Sequence, residues 1–479
     1  MATARRPARA GRNIHLTAEE RIARGRAARD AVPRQSHAPW APAAGRPDPV
    51  ALLEEQAEHR LHALVPIRHG RMLVSPFAFF RGAALIMASD LAETPVSGIN
   101  VQLCGDAHLS NFGVFGSPER RLVFDINDFD ETLPGPWAWD VKRLATSLEV
   151  LGRERAFSPS DRREIVTACV REYRVTMRST AEMKTLDAWY DHIDVDDVME
   201  LLRKEVQEKR LSKREVREAE QDVAKARTRD HERVFAKRVG EVDGELRIVS
   251  DPPLIVSLDD IAAGTERDEL DAYMQSLVRE YRRSIAVQHH PFEEFEYVDT
   301  AHKIVGVGSV GLQAWIHLFV GRDADDPLFL QSKEAQASVL ERFVGRSVYR
   351  NHGRRVVVGQ RVMQAVSDIF LGWLSVTGVD GESRDYYVRQ FQDWKGSVEV
   401  DSMLVPGTSI YGRLCGSTLA RAHARWGDRI AIASYLGKGG AFDDAVADFA
   451  SAYADQNERD YEAFAAAVKT GRLDAEEGL

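Results

Sequence analysis

The sequence predicts an α+β protein with two lobes, one rich in helices and a smaller one built on an antiparallel sheet. Apolar residues recur at helical spacing through much of 49–295. From 296 onward the pattern changes to alternating strands separated by glycine turns. With 479 residues, of which 44% are hydrophobic, the chain is long enough for two or three such units. We therefore expect a catalytic-loop and helical region over 49–295, a sheet region over 296–400, and helices over 401–479 that pack on the first region.

The first 48 residues differ in composition from the rest of the chain. They carry ten Arg against four acidic residues, whereas the net charge of the whole chain is −10. An Arg- and Pro-rich segment of this kind is typical of a disordered leader, which we predict over 1–48. Binding of an acidic partner or of nucleic acid by this segment is the alternative. The acidic remainder has no basic stripe interleaved with aromatic residues, so the sequence predicts no specific nucleic-acid binding.

Three cysteines are scattered along the chain, at Cys104, Cys169 and Cys415, and none forms a CxxC pair. This pattern favours a reducing cytoplasm and argues against a zinc site or a disulfide framework. No apolar run approaches the roughly 20 residues that a membrane crossing needs, and the first residues lack the apolar core of a signal peptide. The sequence therefore predicts a cytoplasmic protein with no membrane partner.

The individual elements follow from local periodicity and turn signals. In the first half the sequence predicts a short helix over 49–65, a strand and then a helix within 71–90, strands at 101–103 and 121–127, a helix from 139 to 152, and helices through most of 158–240. In the second half it predicts strands within 299–332, a helix over 334–348, strands near 355–363 and 386–391, a helix over 410–426, and two closing helices.

The decapeptide Cys104–Gly113 is the most informative segment. It places Asp106, His108 and Asn111 at fixed offsets behind a glycine. Phosphoryl transfer from ATP needs such a set, because one carboxylate accepts the proton of the attacking hydroxyl while an amide oxygen and another carboxylate hold Mg²⁺. Asp106 and His108 are therefore our candidate catalytic residues. An Asx-rich turn that only caps backbone groups is the alternative.

An acidic cluster follows on the next predicted strand, at Asp125, Asp128 and Asp130. Clustered carboxylates repel one another, and their burial without a cation is costly. A divalent ion would relieve both problems, so we predict a Mg²⁺ site here. The sequence leaves open whether Asp125 or Asp128 is the main ligand, and a solvated acidic turn is the alternative.

A glycine-rich segment over 306–311 lies between two predicted strands, and a third strand ends in Lys333. A dinucleotide-binding loop would lead into a helix, whereas a strand, glycine loop and strand resembles the phosphate-covering loop of kinases. That resemblance implies that Lys333 binds the nucleotide phosphates and that Glu341 holds this lysine. The alternative is a plain glycine hairpin with a surface lysine. The predicted nucleotide-binding residues are Gly306, Gly308, Ser309, Gly311, Lys333 and Glu341.

The catalytic-loop segment resembles that of aminoglycoside phosphotransferases, commonly His-Gly-Asp-x-His-x-x-Asn, with Cys104 in place of the first His. The resemblance implies that Asp106 is the base and that Asn111 binds the metal. Asp128 with Asp130 matches the metal motif of those enzymes better than Asp125 does. Asp140 then stands where the family has an acid that braces the loop.

The order of these segments differs from that of an ordinary kinase, because the glycine loop and Lys333 follow the catalytic loop. The segment 411–424 resembles the helix that precedes the catalytic loop in aminoglycoside phosphotransferases. All four segments then fit one circular permutation of a protein-kinase-like fold, which neighbouring termini would permit. This interpretation requires Lys333 to lie near Asp128.

Residues from about 45 to 470 also resemble the bacterial domain of unknown function 2252 family. The segments that carry the resemblance are 66–72, 77–82, 104–113, 127–132 and 139–144. The family supplies no activity.

Three arginines precede the catalytic loop, at Arg68, Arg71 and Arg81. A guanidinium can bind phosphate or carboxylate through two parallel hydrogen bonds. These residues are therefore candidates for binding the acceptor or the γ-phosphate, or they are structural partners of the acidic cluster.

The predicted function is transfer of phosphate from ATP, with Mg²⁺, to a hydroxyl of a small-molecule acceptor. One alternative is a two-metal phosphoesterase, to which Asn351 and His352 would contribute. A nucleotide-binding pseudokinase scaffold and transfer of AMP to a protein are further alternatives. The sequence identifies neither the acceptor nor the oligomeric state.

Overall fold

A computed structural model describes residues 16–242, 244–261, 265–285, 290–304, 310–377, 381–391 and 394–478. It shows an α+β protein with antiparallel sheets, as the sequence predicts. The described α-helices, in chain order, are α1 (Ala18–Ala31), α2 (Pro49–Ala57), α3 (Val65–Leu73), α4 (Pro76–Gly82), α5 (Ala84–Ala92), α6 (Ala138–Glu154), α7 (Pro159–Glu182), α8 (Thr185–Tyr190), α9 (Val195–Gln207), α10 (Lys213–Arg227), α11 (His231–Arg238), α12 (Leu258–Ile261), α13 (Thr265–Ser284), α14 (Glu341–Val344), α15 (His352–Met363), α16 (Val405–Trp426), α17 (Arg429–Leu436) and α18 (Ala441–Lys469).

The strands form four antiparallel groups within the described residues. In chain order they are β1 (Asn100–Leu103), β2 (Phe112–Gly116), β3 (Leu122–Ile126), β4 (Leu133–Pro136), β5 (Ile193–Asp194), β6 (Val239–Val242), β7 (Glu245–Ile248), β8 (Ile255–Ser257), β9 (Glu296–Lys303), β10 (Ala314–Val320), β11 (Pro327–Ala335), β12 (Gly372–Thr377), β13 (Ser383–Gln390) and β14 (Gly396–Ser397).

The largest sheet has six strands in the order β12-β13-β11-β10-β9-β8. Strands β9, β10 and β11 are consecutive neighbours, so the predicted meander is confirmed. Lys333 lies near the end of β11, opposite Ala314 on β10 and Tyr387 on β13. Helix α13 covers one face through Tyr281, which packs with Phe319 and other apolar residues of the sheet. Because side chains alternate along a strand, Lys333 points to the opposite face.

A second core lies among the helices α6, α7, α16 and α18 and the strands β1 to β4. Helices α7 and α16 pack closely at Gly416. A Cβ on Gly416 would lie 2.3 Å from the carbonyl oxygen of Cys169, so only glycine permits this approach of the two backbones. The predicted helix over 410–426 is confirmed and begins earlier, at Val405. These elements hold the segment that carries Asp106.

Three of the predicted elements are wrong. Residues 71–80, predicted as a strand, lie in helices, because Pro76 opens α4 and the Ser75 hydroxyl accepts from the Ala78 backbone N–H. Residues 355–363, also predicted as a strand, belong to α15, where the Asn351 side chain caps the first turn. The helix predicted over 334–348 is reduced to the single turn α14, since β11 continues to Ala335.

The prediction of a disordered leader over 1–48 is wrong for residues 16–48. Helix α1 packs on α17, and Arg34 donates to the carbonyl oxygen of Leu436 at 2.6 Å. The Arg46 guanidinium bridges Asp90 and Asp460 in a part-buried network. Arginines that looked solvated in the sequence are therefore partners of the C-terminal helices.

None of the described helices combines the length with the apolar character that a membrane crossing requires.

Candidate functional site

The loop after β1 is held by a buried carboxylate. Asp140, on α6, accepts from the backbone N–H groups of Cys104 at 2.8 Å and Gly105 at 3.1 Å. The His423 Nε2 lies 3.2 Å from the same carboxylate. Gly105 has a positive φ of 84°, and a Cβ there would lie 2.4 Å from the carbonyl oxygen of Glu131. Asp140 thus braces the loop, as the resemblance implies.

Asp106 projects from this loop and is fixed by Arg143. The Nε and Nη2 atoms of Arg143 both lie 2.8 Å from Asp106 Oδ1. Burial raises the pKa of the Asp106 carboxyl, and Arg143 opposes this shift. The Asn111 side chain donates to the backbone oxygen of Asp106 at 2.8 Å. The role of Arg143 was not predicted from the sequence, although Arg143 lies three residues after Asp140 on one helix face.

His108 lies beside Asp106, with 3.6 Å between its Nε2 and Asp106 Oδ2. Burial lowers the pKa of His108 far below its usual value, and the cations Arg81 and Arg143 lower it further. The imidazole is therefore neutral at physiological pH. It can donate or accept one proton near Asp106, but it does not bring a positive charge to the site.

Lys333 meets the acidic cluster across the two regions of the chain. Its Nζ donates to Asp130 Oδ2, although the two residues are 203 positions apart. The Tyr387 hydroxyl donates to the other oxygen of Asp130 at 2.8 Å. Burial raises the pKa of Asp130, but Lys333 outweighs this effect and the pKa is lowered overall. The proximity that the permuted order requires is therefore present.

Asp128 lies in the same cluster and differs from Asp130 in its partners. Its Oδ1 accepts from the backbone N–H of Asp130 at 3.1 Å. Burial raises the pKa of Asp128, and the charge of Asp130 adds to the shift, against Lys333 and Arg389. No ion pair within 4 Å is recorded for Asp128 in the described part of the chain. Among the described residues, this part-buried carboxylate therefore lacks the direct cation partner that Asp106 and Asp130 have.

The predicted pairing of Lys333 with Glu341 is wrong, because Lys333 pairs with Asp130 instead. Glu341 begins the short helix α14, and its Oε1 lies 4.0 Å from His352 Nδ1. The carboxylate that pairs with Lys333 thus comes from the segment after β3 and not from the helix.

Asp125 is not brought to the cluster. It accepts from the backbone N–H of Ile126 at 2.8 Å, and its strongest charged neighbours are Arg425 and Arg421. Burial raises the pKa of Asp125 to about 6, against the effect of these arginines. Because side chains alternate between the two faces of a strand, the Asp125 side chain points away from Asp128. Of the two candidate metal ligands that the sequence left open, Asp125 and Asp128, only Asp128 therefore lies in the cluster.

The buried position of Asp125 predicts a pH dependence of stability. Since its pKa is raised by folding, the folded state binds this proton more tightly, and the free energy of unfolding falls as pH rises from about 4 to about 7. The fall is of the order of 3 kcal/mol. We expect the Asp125→Asn variant not to show this fall. The difference in free energy of unfolding between variant and wild type, measured with urea, should therefore shift in favour of the variant between about pH 4.5 and about pH 7.5. A difference that does not change with pH would contradict the shift.

The glycine loop connects β9 and β10, as the sequence predicts. Gly311 accepts from the Leu61 backbone N–H at 2.8 Å, and a Cβ on Gly311 would lie 2.9 Å from the Cβ of Arg60. The described end of the loop thus packs on the segment before α3. Three predicted nucleotide-binding residues lie outside the described residues: Gly306, Gly308 and Ser309.

A small cavity of about 40 Å³ joins the catalytic loop to the acidic cluster. Its wall contains four carboxylates and three guanidinium groups: Asp106, Asp128, Asp130 and Glu131, with Arg60, Arg68 and Arg81. The cavity thus collects residues from widely separated parts of the sequence.

Two of the three predicted arginines, Arg68 and Arg81, line this cavity. Arg71 does not line the cavity. It lies near Lys303 at the end of β9, where burial is the main cause of the lowered pKa of Lys303 and the charge of Arg71 adds to it. Arg60 was missed, because nothing in its local sequence distinguishes it from a surface arginine.

Among the residues that the structure describes, no group of three or more His, Cys, Asp or Glu side chains converges as a metal site. Magnesium commonly keeps several waters and uses one or two protein carboxylates together with substrate phosphates. Asp128 and the amide oxygen of Asn111 suit that mode, since the Asn111 amide nitrogen is already used as a donor.

A family model with the description "Uncharacterized protein conserved in bacteria (DUF2252)" matches residues 60–467. No curated protein and no solved structure matches the chain.

Proposed function

The chain belongs to the domain of unknown function 2252 family, and we propose that it transfers a phosphoryl group from ATP to a hydroxyl of a small molecule. One observation carries the proposal. Lys333 donates a hydrogen bond to Asp130, and Asp130 lines the same cavity as Asp128 and Asp106. A phosphate-binding lysine, a metal-binding acid and a general base are the groups that phosphoryl transfer needs within one site.

The antiparallel meander supports the proposal independently. A glycine-containing connection joins β9 to β10, and Lys333 lies on the next strand, as in the nucleotide-binding sheet of kinases. The lysine faces the helical core, where the catalytic loop is held. In this proposal Lys333 and the connection bind the phosphates of ATP.

Asp106 accepts the proton of the acceptor hydroxyl. Arg143 holds one carboxylate oxygen and leaves Oδ2 directed toward His108. The raised pKa of Asp106 makes it a better proton acceptor than an exposed aspartate, because basicity follows pKa. Asp128 and Asn111 would hold Mg²⁺, which when bound neutralises phosphate charge.

The two-metal phosphoesterase is less well supported. Asn351 caps α15, and the described residues that line the cavity with Asp106 and Asp128 include neither Asn351 nor His352. In the described ranges no cluster of metal-binding side chains supplies two metal ions. We therefore favour phosphoryl transfer.

Calorimetry with ATP, in the presence and absence of Mg²⁺, tests the proposal. We expect wild type to bind ATP with Mg²⁺, and Asp128→Asn to lose about tenfold or more in affinity, because a charge-assisted contact is removed. Asp125→Asn is the matched control and should bind as wild type does. Failure of wild type to bind ATP with Mg²⁺ would overturn the proposal. Release of pyrophosphate in place of ADP during turnover would show transfer of AMP instead.

A further inference from the structure

The wall of the cavity beside Asp106 contains three arginines whose hydrogen-bonding groups are only partly used. Arg143 pairs with Asp106, and Lys333 pairs with Asp130. These two cations are therefore already matched. The three arginines in the wall, Arg60, Arg68 and Arg81, form no ion pair with a carboxylate in the recorded contacts of the described chain.

Arg68 is the most deeply placed of the three, with 1% of its surface exposed. Its Nη2 donates to Gln56 Oε1 and to the carbonyl oxygen of Gly82, both at 2.8 Å. Its Nε and Nη1 are buried and have no hydrogen-bond partner in the structure. A buried guanidinium with two unused donors is costly, and an oxyanion supplies the acceptors that these donors lack.

Arg60 and Arg81 flank Arg68 in the same wall. Arg60 donates from Nη1 to the carbonyl oxygen of Val310, while its buried Nε has no hydrogen-bond partner among the described residues. Arg81 likewise has a buried Nε without a partner. The charges of Asp106 and Asp401 act on Arg81, which therefore lies at the catalytic-loop end of the cavity.

We propose that Arg60, Arg68 and Arg81 bind a phosphate or carboxylate of the acceptor, so that the acceptor is an acidic small molecule that also carries a hydroxyl. This inference rests on the proposed function for the identity of the bound molecule. The arginines come from the segment 60–81, whereas the nucleotide contacts come from β11 and the connection before β10. The hydroxyl must reach Asp106, and Arg81 lies on that side.

Inorganic phosphate is the probe for the anion site, titrated into the full chain by calorimetry. Wild type is expected to bind it, and Arg68→Gln and Arg81→Gln to lose about tenfold or more in affinity. Arg71→Gln, outside the cavity, is the matched control and should retain wild-type affinity. Arg81 is only partly buried, so Arg81→Gln remains informative if Arg68→Gln fails to fold. Absence of phosphate binding by wild type, or equal binding by Arg81→Gln, would overturn the inference.

ATP binding separates the two possible sources of the anion. The arginine variants should bind ATP with Mg²⁺ within about threefold of wild type, if the arginines serve the acceptor. A parallel loss of ATP affinity would assign them to the nucleotide and overturn the inference, while the proposed function would stand. In a panel of alcohols, phosphate- or carboxylate-bearing compounds should raise ADP release. Turnover with neutral alcohols alone would also overturn the acidic acceptor and leave phosphoryl transfer intact.

Discussion

Replacing Lys333 by methionine is expected to lower the affinity for ATP with Mg²⁺ by about 10- to 100-fold, because a buried ammonium that would contact phosphate is lost. The same change should destabilise the fold by at most about 3–5 kcal/mol, since the part-buried Asp130 would be left without its partner. Calorimetry measures the first effect and urea unfolding the second.

A double variant separates these two effects. Lys333→Met combined with Asp130→Asn removes both buried charges, so we expect much of the stability to return while ATP affinity stays low. Lys204→Met is the control for the chemical change, because Lys204 is exposed on α9 and pairs only with Glu200 in the described contacts. If the double variant recovered ATP binding together with stability, Lys333 would have a structural role only.

The meeting of Lys333 with the acidic cluster was expected from the segment order that the kinase resemblance implies, and strand alternation is consistent with it. Alternation along β10 and β11 is visible in the apolar residues, and it fixes the face on which Lys333 lies. By contrast, Val356 and Val357 favoured a strand on propensity alone. The Asn351 cap and burial against the helical core made that segment a helix, and single-sequence propensity does not contain this tertiary contribution.

Individual site residues were predictable only where a motif fixed their spacing. Asp106, Asn111 and Asp140 occupy one loop and its brace, and the resemblance to aminoglycoside phosphotransferases pointed to all three. The partner of Lys333 was not predictable in this way, since Asp130, 203 positions away, competes with Glu341 on the nearby helix. Arg60 is the clearest case, because only the fold shows that Gly311 packs on it and that it faces the cavity.

Replacing Asp140 by alanine is expected to cause the second large effect. The backbone N–H groups of Cys104 and Gly105 would lose their acceptor while remaining within the fold. Each buried donor without a partner costs about 1–3 kcal/mol, so we expect a loss of roughly 2–5 kcal/mol in the free energy of unfolding. Urea unfolding measures it. Asp448→Ala is the matched control, because Asp448 pairs with Arg163 on the surface and should have little effect.

The conservative variant Asp140→Asn distinguishes support of the fold from positioning of Asp106. Asparagine keeps one oxygen that can accept from the loop, but its amide nitrogen would face a second backbone donor. A modest loss of stability with a much larger loss of ADP release would show that Asp140 positions the loop for catalysis. If activity fell only in proportion to the folded fraction, its role would be confined to stability, and the geometry of Asp106 would have to depend on Arg143 alone.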